Sequence, residues 1–506
     1  MWGLGVSHLS IIERAKSYGS AIAIRQEEME LKFDELLKSS ECVASALIGS
    51  YADLEQNRVA MLCSTGLEFA ICQWGIWRAG GVCVPLSSSA TASELEYAIA
   101  DCQPVKVLAQ KKHFEMLKEV CRKLDVPLFL FEDALLGKPT SLPFVNASRR
   151  AMILYTSGTT SKPKGVVTTH ANIEAQIRSL VEAWGWSSDD RIPLFLPLHH
   201  IHAIINVLSC ALWTGATIDS FGSFELPHIL SQVAYKKYSL FMAVPTIYVK
   251  LIQGMLTAEP SQRKSWVDGF AAMRLMVSGS AALPASVHLQ WTELTGQELL
   301  ERYGMTEIGM AISNPLNGQR RPGSVGVPLP GVQVRLKSES GKVITEEDEP
   351  GEIQVCGPSV FSEYWDRPEA TKASFDDGWF RTGDMAVFER GYYRIMGRLS
   401  VDIIKSGGYK LSALEIEDVL LAHPAILQCG VVGVPDETWG EAVAVAIVVR
   451  ENELIEIESM RRWCKERMSP YKVPKMLKVV TELPRNAMGK VVKTAIKTLF
   501  SQENKN

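Results

Sequence analysis

Two long stretches of the chain alternate between short apolar runs of strand length and longer segments with helical periodicity. This alternation constrains the fold more than any other feature of the sequence. In the first stretch, residues 31–131, apolar runs such as 58–63 and 105–109 alternate with helical patterns such as 33–48, and the same alternation recurs over residues 151–303. Because strand–helix–strand units of this kind stack as crossovers on a largely parallel sheet, we predict two stacked α/β layers.

The sequence pattern changes after Pro322, where short strand-like runs are separated by glycine and proline turns. This pattern predicts a small β subdomain over about residues 322–397. Beyond it, helical and strand patterns mix again, which indicates a smaller α+β domain over residues 403–506. The predicted fold class is therefore α/β and α+β, with a large N-terminal domain over residues 1–397 and a smaller C-terminal domain.

Charge excludes some classes of partner. The chain carries 53 Lys and Arg residues against 57 Asp and Glu residues, a net charge of -4. A balance of this kind supplies no global basic field, so we expect neither nucleic acid nor an anionic membrane surface as a partner.

Residues 192–218 form the longest stretch without a charged side chain, and they are numerous enough to raise the question of a membrane span. Pro193, Pro197 and three histidines interrupt the stretch. These residues are unfavourable in hydrocarbon, so we predict a buried strand, loop and helix and no membrane span.

The strongest chemical signal is the segment Tyr155-Thr-Ser-Gly-Thr-Thr-Ser-Lys-Pro-Lys-Gly165, which directly continues an apolar strand pattern. Hydroxyls and backbone N–H groups at the end of a strand can surround a triphosphate, and Lys162 and Lys164 supply positive charge. The segment is not a Walker A loop, because Gly165 is followed by Val166 and no Gly-Lys-Ser/Thr closes it. It therefore predicts a phosphate-binding loop of another type.

This segment resembles the phosphate loop of the adenylate-forming superfamily, which includes acyl-CoA synthetases, firefly luciferases and non-ribosomal peptide adenylation domains. Further segments match the other motifs of the superfamily in order along nearly the whole chain: Tyr303-Gly-Met-Thr-Glu307, Trp379-Phe-Arg-Thr-Gly-Asp384, Gly397-Arg398 with residues 402–410, and Pro484-Arg-Asn-Ala-Met-Gly-Lys490. The resemblance implies that a mobile C-terminal domain turns about a hinge at residues 398–402. Its pivot is expected at Asp402, with Ser400 and Val401 as alternatives.

The resemblance also implies a role for each matched residue. Lys490 would reach the forming acyl-adenylate, Thr306 would contact the phosphate, and Glu307 would help to hold Mg²⁺. Asp384 would bind the ribose hydroxyls, a natural role for a bidentate acceptor, and Arg398 would contact the nucleotide. The other implied nucleotide-binding residues are Thr156, Ser157, Gly158, Thr159, Thr160, Lys164, Gly279, Ser280 and Tyr303.

The implied chemistry brings two anions together, because a carboxylate attacks the α-phosphate of ATP. Catalysis then depends on charge neutralisation and positioning, which a mobile lysine, Mg²⁺ and preorganised hydroxyls supply. We therefore expect Lys490 to catalyse formation of the acyl-adenylate. A thiol then attacks the mixed anhydride, so we expect ATP and CoA as co-substrates and Mg²⁺ as the cofactor.

The residue before the motif tyrosine narrows the choice of acid. Arg302 stands where synthetases for fatty or aromatic acids usually have glycine. A buried guanidinium is uncompensated unless the substrate brings a second carboxylate, or unless a protein acid such as Glu301 neutralises it. His200 matches the family position that lines the acyl tunnel. The histidines within residues 199–202 also allow a metal-site interpretation, but they lack an H-E-x-x-H context.

Within the superfamily the sequence looks most like malonyl-CoA synthetases of the type called acyl-CoA synthetase family member 3 in animals. The segments that carry this likeness are 242–248, 278–284, 300–310, 323–332 and 405–415. Two residues depart from the pattern: Ala203 replaces a usual glycine, and Arg381 replaces a frequent lysine. Neither change removes a proposed catalytic group, although Ala203 is large enough to narrow the acyl tunnel.

The leading hypothesis is therefore a malonate:CoA ligase, and the alternative enzyme is a medium- or long-chain fatty acyl-CoA synthetase. An adenylation module that loads a carrier protein is disfavoured, because no carrier-like segment follows Phe500. A non-enzymatic binding module is disfavoured because Lys490, Glu307 and Asp384 are all present.

Cysteine usage and the start of the chain bear on location. The ten cysteines include no C-x-x-C pair and are scattered through apolar segments, as is typical of a reducing compartment. The first residues match neither a secretory signal nor a transit peptide well. We expect a cytoplasmic location, with the mitochondrial matrix as the alternative because the animal enzymes of this type are mitochondrial.

Overall fold

The computed structural model describes residues 9–156, 162–407, 409–451, 453–485 and 491–501. Its first region alternates helices and strands as predicted and adds an N-terminal β-hairpin that was not predicted. The elements are α1 Ser10–Lys16, β1 Ile22–Gln26, β2 Met29–Lys32, α2 Phe33–Ile48, β3 Arg58–Leu62, α3 Leu67–Arg78, β4 Val82–Pro85, α4 Ala92–Cys102, β5 Lys106–Ala109, α5 Lys111–Leu124, β6 Leu128–Leu130 and α6 Phe131–Ala134.

The second region also follows the predicted alternation. Its elements are β7 Arg150–Thr156, β8 Lys164–Thr169, α7 His170–Trp184, β9 Arg191–Leu194, a π-helix His202–Ser209, α8 Cys210–Thr214, β10 Thr217–Ser220, α9 Leu226–Ala234, β11 Leu240–Ala243, α10 Pro245–Thr257, α11 Pro260–Ala271, β12 Leu275–Ser278, α12 Ala285–Thr295, β13 Leu300–Met305 and β14 Gly309–Ser313. The uncharged stretch 192–218 thus forms a strand, a loop and helical turns, as predicted. Among the helices that the structure describes, none is long and apolar enough to cross a membrane.

Short strands dominate the third region, as predicted for the β subdomain. They are β15 Val327–Pro328, β16 Gln333–Lys337, β17 Val343–Ile344, β18 Gly351–Cys356, β19 Glu363–Tyr364, β20 Phe375–Asp376, β21 Trp379–Glu389 and β22 Tyr392–Arg398, with one helix, α13 Pro368–Ala373. The last region contains β23 Ile403–Ser406, β24 Tyr409–Ser412, α14 Ala413–Leu421, β25 Ile426–Asp436, β26 Gly440–Val449, α15 Ile457–Lys465, a 3₁₀ turn Pro470–Lys472, β27 Met476–Val479 and α16 Lys493–Ser501.

The largest sheet has seven strands in the order β19-β8-β7-β4-β3-β5-β6. The strands from β7 to β6 run parallel to one another. At the β7 edge of the sheet, β8 pairs antiparallel with β7, and β19 pairs antiparallel with β8. Cys83 pairs with Met152, so β7 lies beside β4 and completes the first sheet. Periodicity identifies a strand without showing its partner, which is why this strand had been assigned to the second layer.

Two further sheets complete the large α/β part. One has the order β11-β12-β13-β14-β15, in which the first three strands run parallel. The other has the order β2-β1-β10-β9 and joins the N-terminal hairpin to strands from the second region. A continuous hydrophobic core with Trp74, Trp77 and Trp184 connects these layers, and the Trp77 indole donates to the Ala151 carbonyl at 2.8 Å.

The β subdomain and the C-terminal part have separate sheets. Strands β17-β16-β18-β21-β20 form one sheet, with β22 paired to β21. The C-terminal strands β24-β23-β26-β25 form another, with β27 parallel to β26 and two small hydrophobic cores of its own. The predicted fold class, mixed α/β and α+β with a smaller C-terminal α+β part, is confirmed.

Candidate active site

A cleft of about 270 Å³ lies where the β7–β8 hairpin, the end of β13 and the β21–β22 hairpin meet. Four residues with predicted nucleotide or metal roles line it: Thr156, Lys164, Glu307 and Arg398. Thr156 and Lys164 pair with each other at the end of the β7–β8 hairpin, and Arg398 ends β22. Arg381 and Glu352 also line the cleft, so three cations and two carboxylates of the described chain, from distant parts of the sequence, converge, which suits a polyanion accompanied by a metal cation.

Asp384 joins two other residues with predicted nucleotide roles, Tyr303 and Arg398. Its Oδ2 atom accepts a hydrogen bond from the Tyr303 hydroxyl at 2.5 Å, and its Oδ1 atom lies 2.8 Å from Arg398 Nε. Asp384 and Arg398 are register partners on the antiparallel strands β21 and β22, which sets this contact. Burial, and then the Asp384 carboxylate, raise the pKa of Tyr303, so its hydroxyl remains protonated and donates.

Glu307 follows β13 and is buried at the edge of the cleft. The Tyr364 hydroxyl donates to Glu307 Oε1 at 2.9 Å, and Lys164 Nζ lies 5.0 Å from the centre of the Tyr364 ring. Burial raises the pKa of the Glu307 carboxyl above its ordinary value, so a nearby cation would favour its ionised form. Thr306 stands next to it, directly after the last residue of β13.

A second group of residues surrounds the Arg302 guanidinium, which is only 3% exposed. Its NH2 group lies 3.3 Å from Ser280 Oγ, and its Nε atom has no hydrogen-bond partner among the residues that the structure describes. A Cβ atom at Gly279 would lie 2.5 Å from the Arg302 Cζ, so only glycine lets the guanidinium pack against the backbone there. Ser280 itself has a φ of +71°, an uncommon conformation that marks a constrained position.

Glu301 and Arg302 are neighbours on β13, so their side chains point to opposite faces of the strand. Glu301 Oε1 accepts a hydrogen bond from the Leu283 N–H at 3.0 Å, and Arg302 has no ion pair within the described part of the chain. Burial lowers the pKa of Arg302 to about 9, and burial raises the pKa of Glu301 to about 8. The geometry therefore does not favour Glu301 as the group that neutralises Arg302.

His202 shares Ser280 with Arg302, and the role of His200 as a residue lining the acyl tunnel stays a prediction. His202 begins the π-helix, is buried, and its Nδ1 atom lies 3.2 Å from Ser280 Oγ. Burial, followed by the Arg302 charge, lowers the pKa of His202, so its imidazole is neutral near pH 7. The His200 ring packs against His199 at 4.1 Å between centroids. Within the described residues, no three His, Cys, Asp or Glu side chains gather as a metal site.

Asp402, the predicted pivot, connects the end of β22 to the C-terminal elements. Its Oδ2 atom accepts from the Arg398 N–H at 2.9 Å, and its Oδ1 atom lies 3.0 Å from Lys493 Nζ. Lys493 also pairs with Glu417 at 2.5 Å. Gly397 has a φ of +121°, and a Cβ there would lie 2.4 Å from the Asp402 Cβ, so glycine is required for this close approach.

A family model described as AMP-binding enzyme matches residues 11–365 of the chain, and one described as AMP-binding enzyme C-terminal domain matches residues 415–490. The chain belongs to the AMP-binding enzyme family.

Named relatives of this AMP-binding enzyme align over nearly its whole length. It is 43% identical to the mitochondrial malonate–CoA ligase ACSF3 of Homo sapiens, covering 96% of this chain and 91% of that protein. It is 39% identical to a malonate–CoA ligase of Arabidopsis thaliana, covering 97% and 86% respectively. Among solved structures, ATP-bound MatB from Rhodopseudomonas palustris matches with a TM-score of 0.89 at 32% identity, covering 98% of this chain and 100% of MatB.

Some predicted residues of this AMP-binding enzyme lie outside the described ranges, namely Ser157, Gly158, Thr159, Thr160 and Lys490. Conversely, sequence reasoning missed Tyr364 and did not select His202. Tyr364 stands outside every recognised motif, so nothing in the sequence pointed to it. The pair of histidines two residues apart was visible, but which ring turns inward depends on where the π-helix begins.

Proposed function

We propose that this AMP-binding enzyme ligates malonate to CoA, converting malonate, ATP and CoA to malonyl-CoA, AMP and pyrophosphate through a malonyl-adenylate. The names of the human and Arabidopsis relatives support this substrate. The single observation in the structure that carries it is the buried guanidinium of Arg302, which has no carboxylate partner among the described residues.

A buried arginine without an anion is unfavourable by several kcal/mol, on the order of 3 kcal/mol or more. A dicarboxylic acid removes this penalty, because one carboxylate reacts while the other pairs with the guanidinium. Ser280, 3.3 Å from Arg302 and 3.2 Å from His202, is placed to donate a further hydrogen bond. A monocarboxylic acid leaves Arg302 unpaired, so the pocket disfavours the fatty-acid alternative.

In the first half-reaction, one malonate oxygen bonds to the α-phosphorus of ATP. The bond from that phosphorus to the bridging oxygen breaks, and pyrophosphate leaves. Residues Thr156, Ser157, Gly158, Thr159, Thr160 and Lys164 are proposed to hold the phosphates, with Thr306, Gly279 and Ser280 beside them. Tyr303 would line the adenine pocket, Asp384 would bind the ribose, and Arg398 would contact the nucleotide. Lys490 would neutralise the anions as they meet.

In the second half-reaction, the CoA sulfur bonds to the malonyl carbonyl carbon and the thiol gives its proton to solvent. The bond from that carbon to the phosphate oxygen breaks, and AMP leaves. We assign residues 1–397 and 403–506 to two domains joined by a hinge at 398–402. Rotation about this hinge would withdraw Lys490 and admit the thiol, as is general for conformational steps that separate two chemistries in one site. His200 is retained as a proposed lining residue of the acyl and thioester tunnel.

Mg²⁺ is the implied cofactor, and the residues present fit it. Magnesium is commonly bound through one or two carboxylates together with substrate phosphates and water. Glu307 is a carboxylate buried beside Lys164 and Arg398, in the cleft where the phosphates are proposed to lie. Glu307 would hold the ion, which would neutralise phosphate charge when bound.

The cytoplasmic location expected from the sequence stays a prediction. The word mitochondrial in the name of the human relative supports the matrix alternative instead.

The test is pyrophosphate release measured with malonate, succinate, butyrate and octanoate in the presence of ATP and CoA. We expect kcat/KM for malonate to exceed that for either monocarboxylate by at least ~10³-fold, because both the paired contact and the cost of an unpaired guanidinium contribute. In Arg302→Leu, kcat/KM for the monocarboxylates should exceed that for malonate. Arg302→Lys is the matched control, because it keeps the charge but loses the planar fork, so malonate preference should weaken without reversing. Similar kcat/KM values for malonate and octanoate in the unmodified enzyme would refute the proposal.

A further inference from the structure

We propose that helix α4 holds both ends of the phosphate-binding segment, with Tyr97 and Asp101 as positioning residues for ATP. The inference rests on the proposed function, which assigns Thr156 and Lys164 to the ATP phosphates; these two described residues line the cleft and stand next to Tyr155 and Pro163. Tyr97 and Asp101 are four residues apart on α4, so they share one helix face. This face meets the strand that leads into the segment and the residues that lead out of it.

The entry side of the segment is held through Tyr155, the residue before the last one of β7. Its hydroxyl donates to Asp101 Oδ2 at 2.8 Å. Burial, followed by the neighbouring Cys102 and Asp101, raises the pKa of Tyr155, so the hydroxyl keeps the proton that it donates. The bond therefore ties the start of the segment to α4 at every pH near neutrality.

The exit side is held through Tyr97, whose hydroxyl donates to the Pro163 carbonyl at 2.7 Å. Proline has no N–H group, so its carbonyl is the only backbone atom through which this residue can be hydrogen-bonded. The Lys162 ammonium lies 5.8 Å from the centre of the Tyr97 ring, within cation–π range. Tyr97 and Tyr155 meet edge to face at 6.3 Å between centroids, so the two attachments touch each other.

Asp101 is also held by two residues that follow β19, the strand paired with β8. Arg367 NH2 lies 2.6 Å from Asp101 Oδ1, and the Trp365 indole N–H donates to the Asp101 carbonyl at 3.1 Å. The Trp365 backbone N–H in turn donates to the Gly165 carbonyl at 2.7 Å. The Asp101 carboxylate thus has a partner on each oxygen, and its side chain is only 10% exposed.

The helix itself is anchored firmly enough to serve as a support. A capping box at Thr91 and Glu94 closes its N-terminus. Leu95 and Ile99 are buried in one hydrophobic core with Ile153 of β7 and Val167 of β8. Because α4 packs on β7 and β8 and is hydrogen-bonded to Tyr155 of β7 and to Pro163, directly before β8, it holds the distance between the ends of the segment.

Residues that are held in place before a ligand binds lose less conformational freedom on binding, and the held residues Tyr155 and Pro163 stand directly before Thr156 and Lys164. The contacts of Tyr97 and Asp101 should therefore appear in ATP affinity. Losing these contacts should not change the rate of the second half-reaction, which begins from the adenylate after pyrophosphate has left.

The experiment compares Tyr97→Phe and Asp101→Asn with the unmodified enzyme. We expect the Kd for ATP, measured by calorimetry without acid or CoA, to rise about 5-fold in Tyr97→Phe, since one net hydrogen bond is lost. We expect a rise of about 10-fold or more in Asp101→Asn, because a charged acceptor of two bonds is lost. The KM for CoA and the rate of thioester formation from preformed malonyl-adenylate should stay within about twofold, on the scale of a lost surface contact.

Tyr18→Phe is the matched control, because the Tyr18 hydroxyl also donates to a backbone carbonyl, that of Trp213, at 2.7 Å. It should lower thermal stability about as much as Tyr97→Phe and leave the Kd for ATP unchanged. An unchanged Kd in both α4 variants would overturn the inference, and so would equal losses in both half-reactions. The Kd measurement needs no acid, so an enzyme that binds ATP but fails to use malonate would contradict the proposed function alone.

Discussion

Two adjacent residues of β13, Glu301 and Arg302, are both buried, and their side chains lie on opposite faces of the strand. Arg302 points to the side where Ser280 and His202 lie, and the second carboxylate of the substrate is proposed to pair with its guanidinium. Glu301 points away and accepts one backbone hydrogen bond from Leu283, and within the described ranges its Oε2 atom has no hydrogen-bond partner. Burial with little compensation favours the neutral form of this carboxyl, with the Asp418 carboxylate adding to the effect.

The pH dependence of stability follows from the raised pKa of Glu301. Between the ordinary pKa of a glutamate and about 8, the folded state holds a proton that the unfolded state has lost. The free energy of unfolding should therefore fall as pH rises through this window and level off above it. Glu301→Gln keeps the acceptor for the Leu283 N–H but cannot ionise.

Urea unfolding at pH 6, 7 and 8 should show the Glu301→Gln variant gaining about 2 kcal/mol on the unmodified enzyme across this range. If the free energies of unfolding of the two proteins changed in parallel with pH, Glu301 would ionise at the ordinary pKa of a glutamate. In Glu301→Gln, the ratio of kcat/KM for malonate to kcat/KM for octanoate should change little, because Glu301 faces away from the acyl pocket.

At the scale of secondary-structure elements, α16, α14 and the hinge meet at one buried cation. Lys493 of α16 pairs with Glu417 of α14 and with Asp402, and all three side chains are 12–14% exposed. Burial opposes its charge, but Glu417 and Asp402 outweigh that effect and raise the pKa of Lys493 above its ordinary value. This cluster fixes the helix that follows Lys490 to the residues on which the hinge is proposed to turn.

Lys493→Met should therefore lower the free energy of unfolding by about 3 kcal/mol, because two buried carboxylates lose their cation. Lys497→Met is the matched control on the same helix. Lys497 pairs with Glu441 at 3.3 Å but is 42% exposed, so its loss should cost less than about 1 kcal/mol. Urea unfolding measures both variants. Equal losses in the free energy of unfolding would show that the buried cluster stabilises the fold no more than the exposed ion pair of Lys497.

At the scale of the whole molecule, one site is proposed to perform two reactions by moving its C-terminal domain. The backbone at the hinge is tied locally, since the Asp402 N–H and the Val401 N–H both donate to the Arg398 carbonyl. A rotation at Asp402 has to break such contacts and re-form others.

Asp402→Pro should change the ratio of the two half-reaction rates by about 10-fold or more, because proline fixes φ and opposes rotation at that residue. Asp402→Asn is the control, since it also loses the carboxylate but leaves the backbone free to turn. Stopped-flow rates for adenylate formation and for thioester formation supply the ratio. If the two variants have the same ratio and similar melting temperatures, the pivot lies at Ser400 or Val401.

The sequence by itself determined the alternation of elements, the change to short strands after residue 322, and the C-terminal α+β part, because these depend on local periodicity and turn residues. It also placed Thr156, Lys164, Glu307, Arg398 and Asp384 in motifs, and the structure brings these residues together. Local order along the chain was sufficient for these predictions, because Thr156, Lys164, Glu307 and Arg398 stand at or near strand ends and Asp384 is paired with Arg398 across a hairpin.

The tertiary structure alone decided which strands pair and which side chains meet. Strand β7 lies beside β4, His202 rather than His200 approaches Ser280, and α4 reaches the two ends of the phosphate segment. The neutral state expected for Glu301 likewise depends on burial among residues far apart in sequence, and so does the lack of a carboxylate partner for Arg302 in the described part of the chain. Such contacts come from packing between distant segments, and periodicity within a single segment carries no record of them.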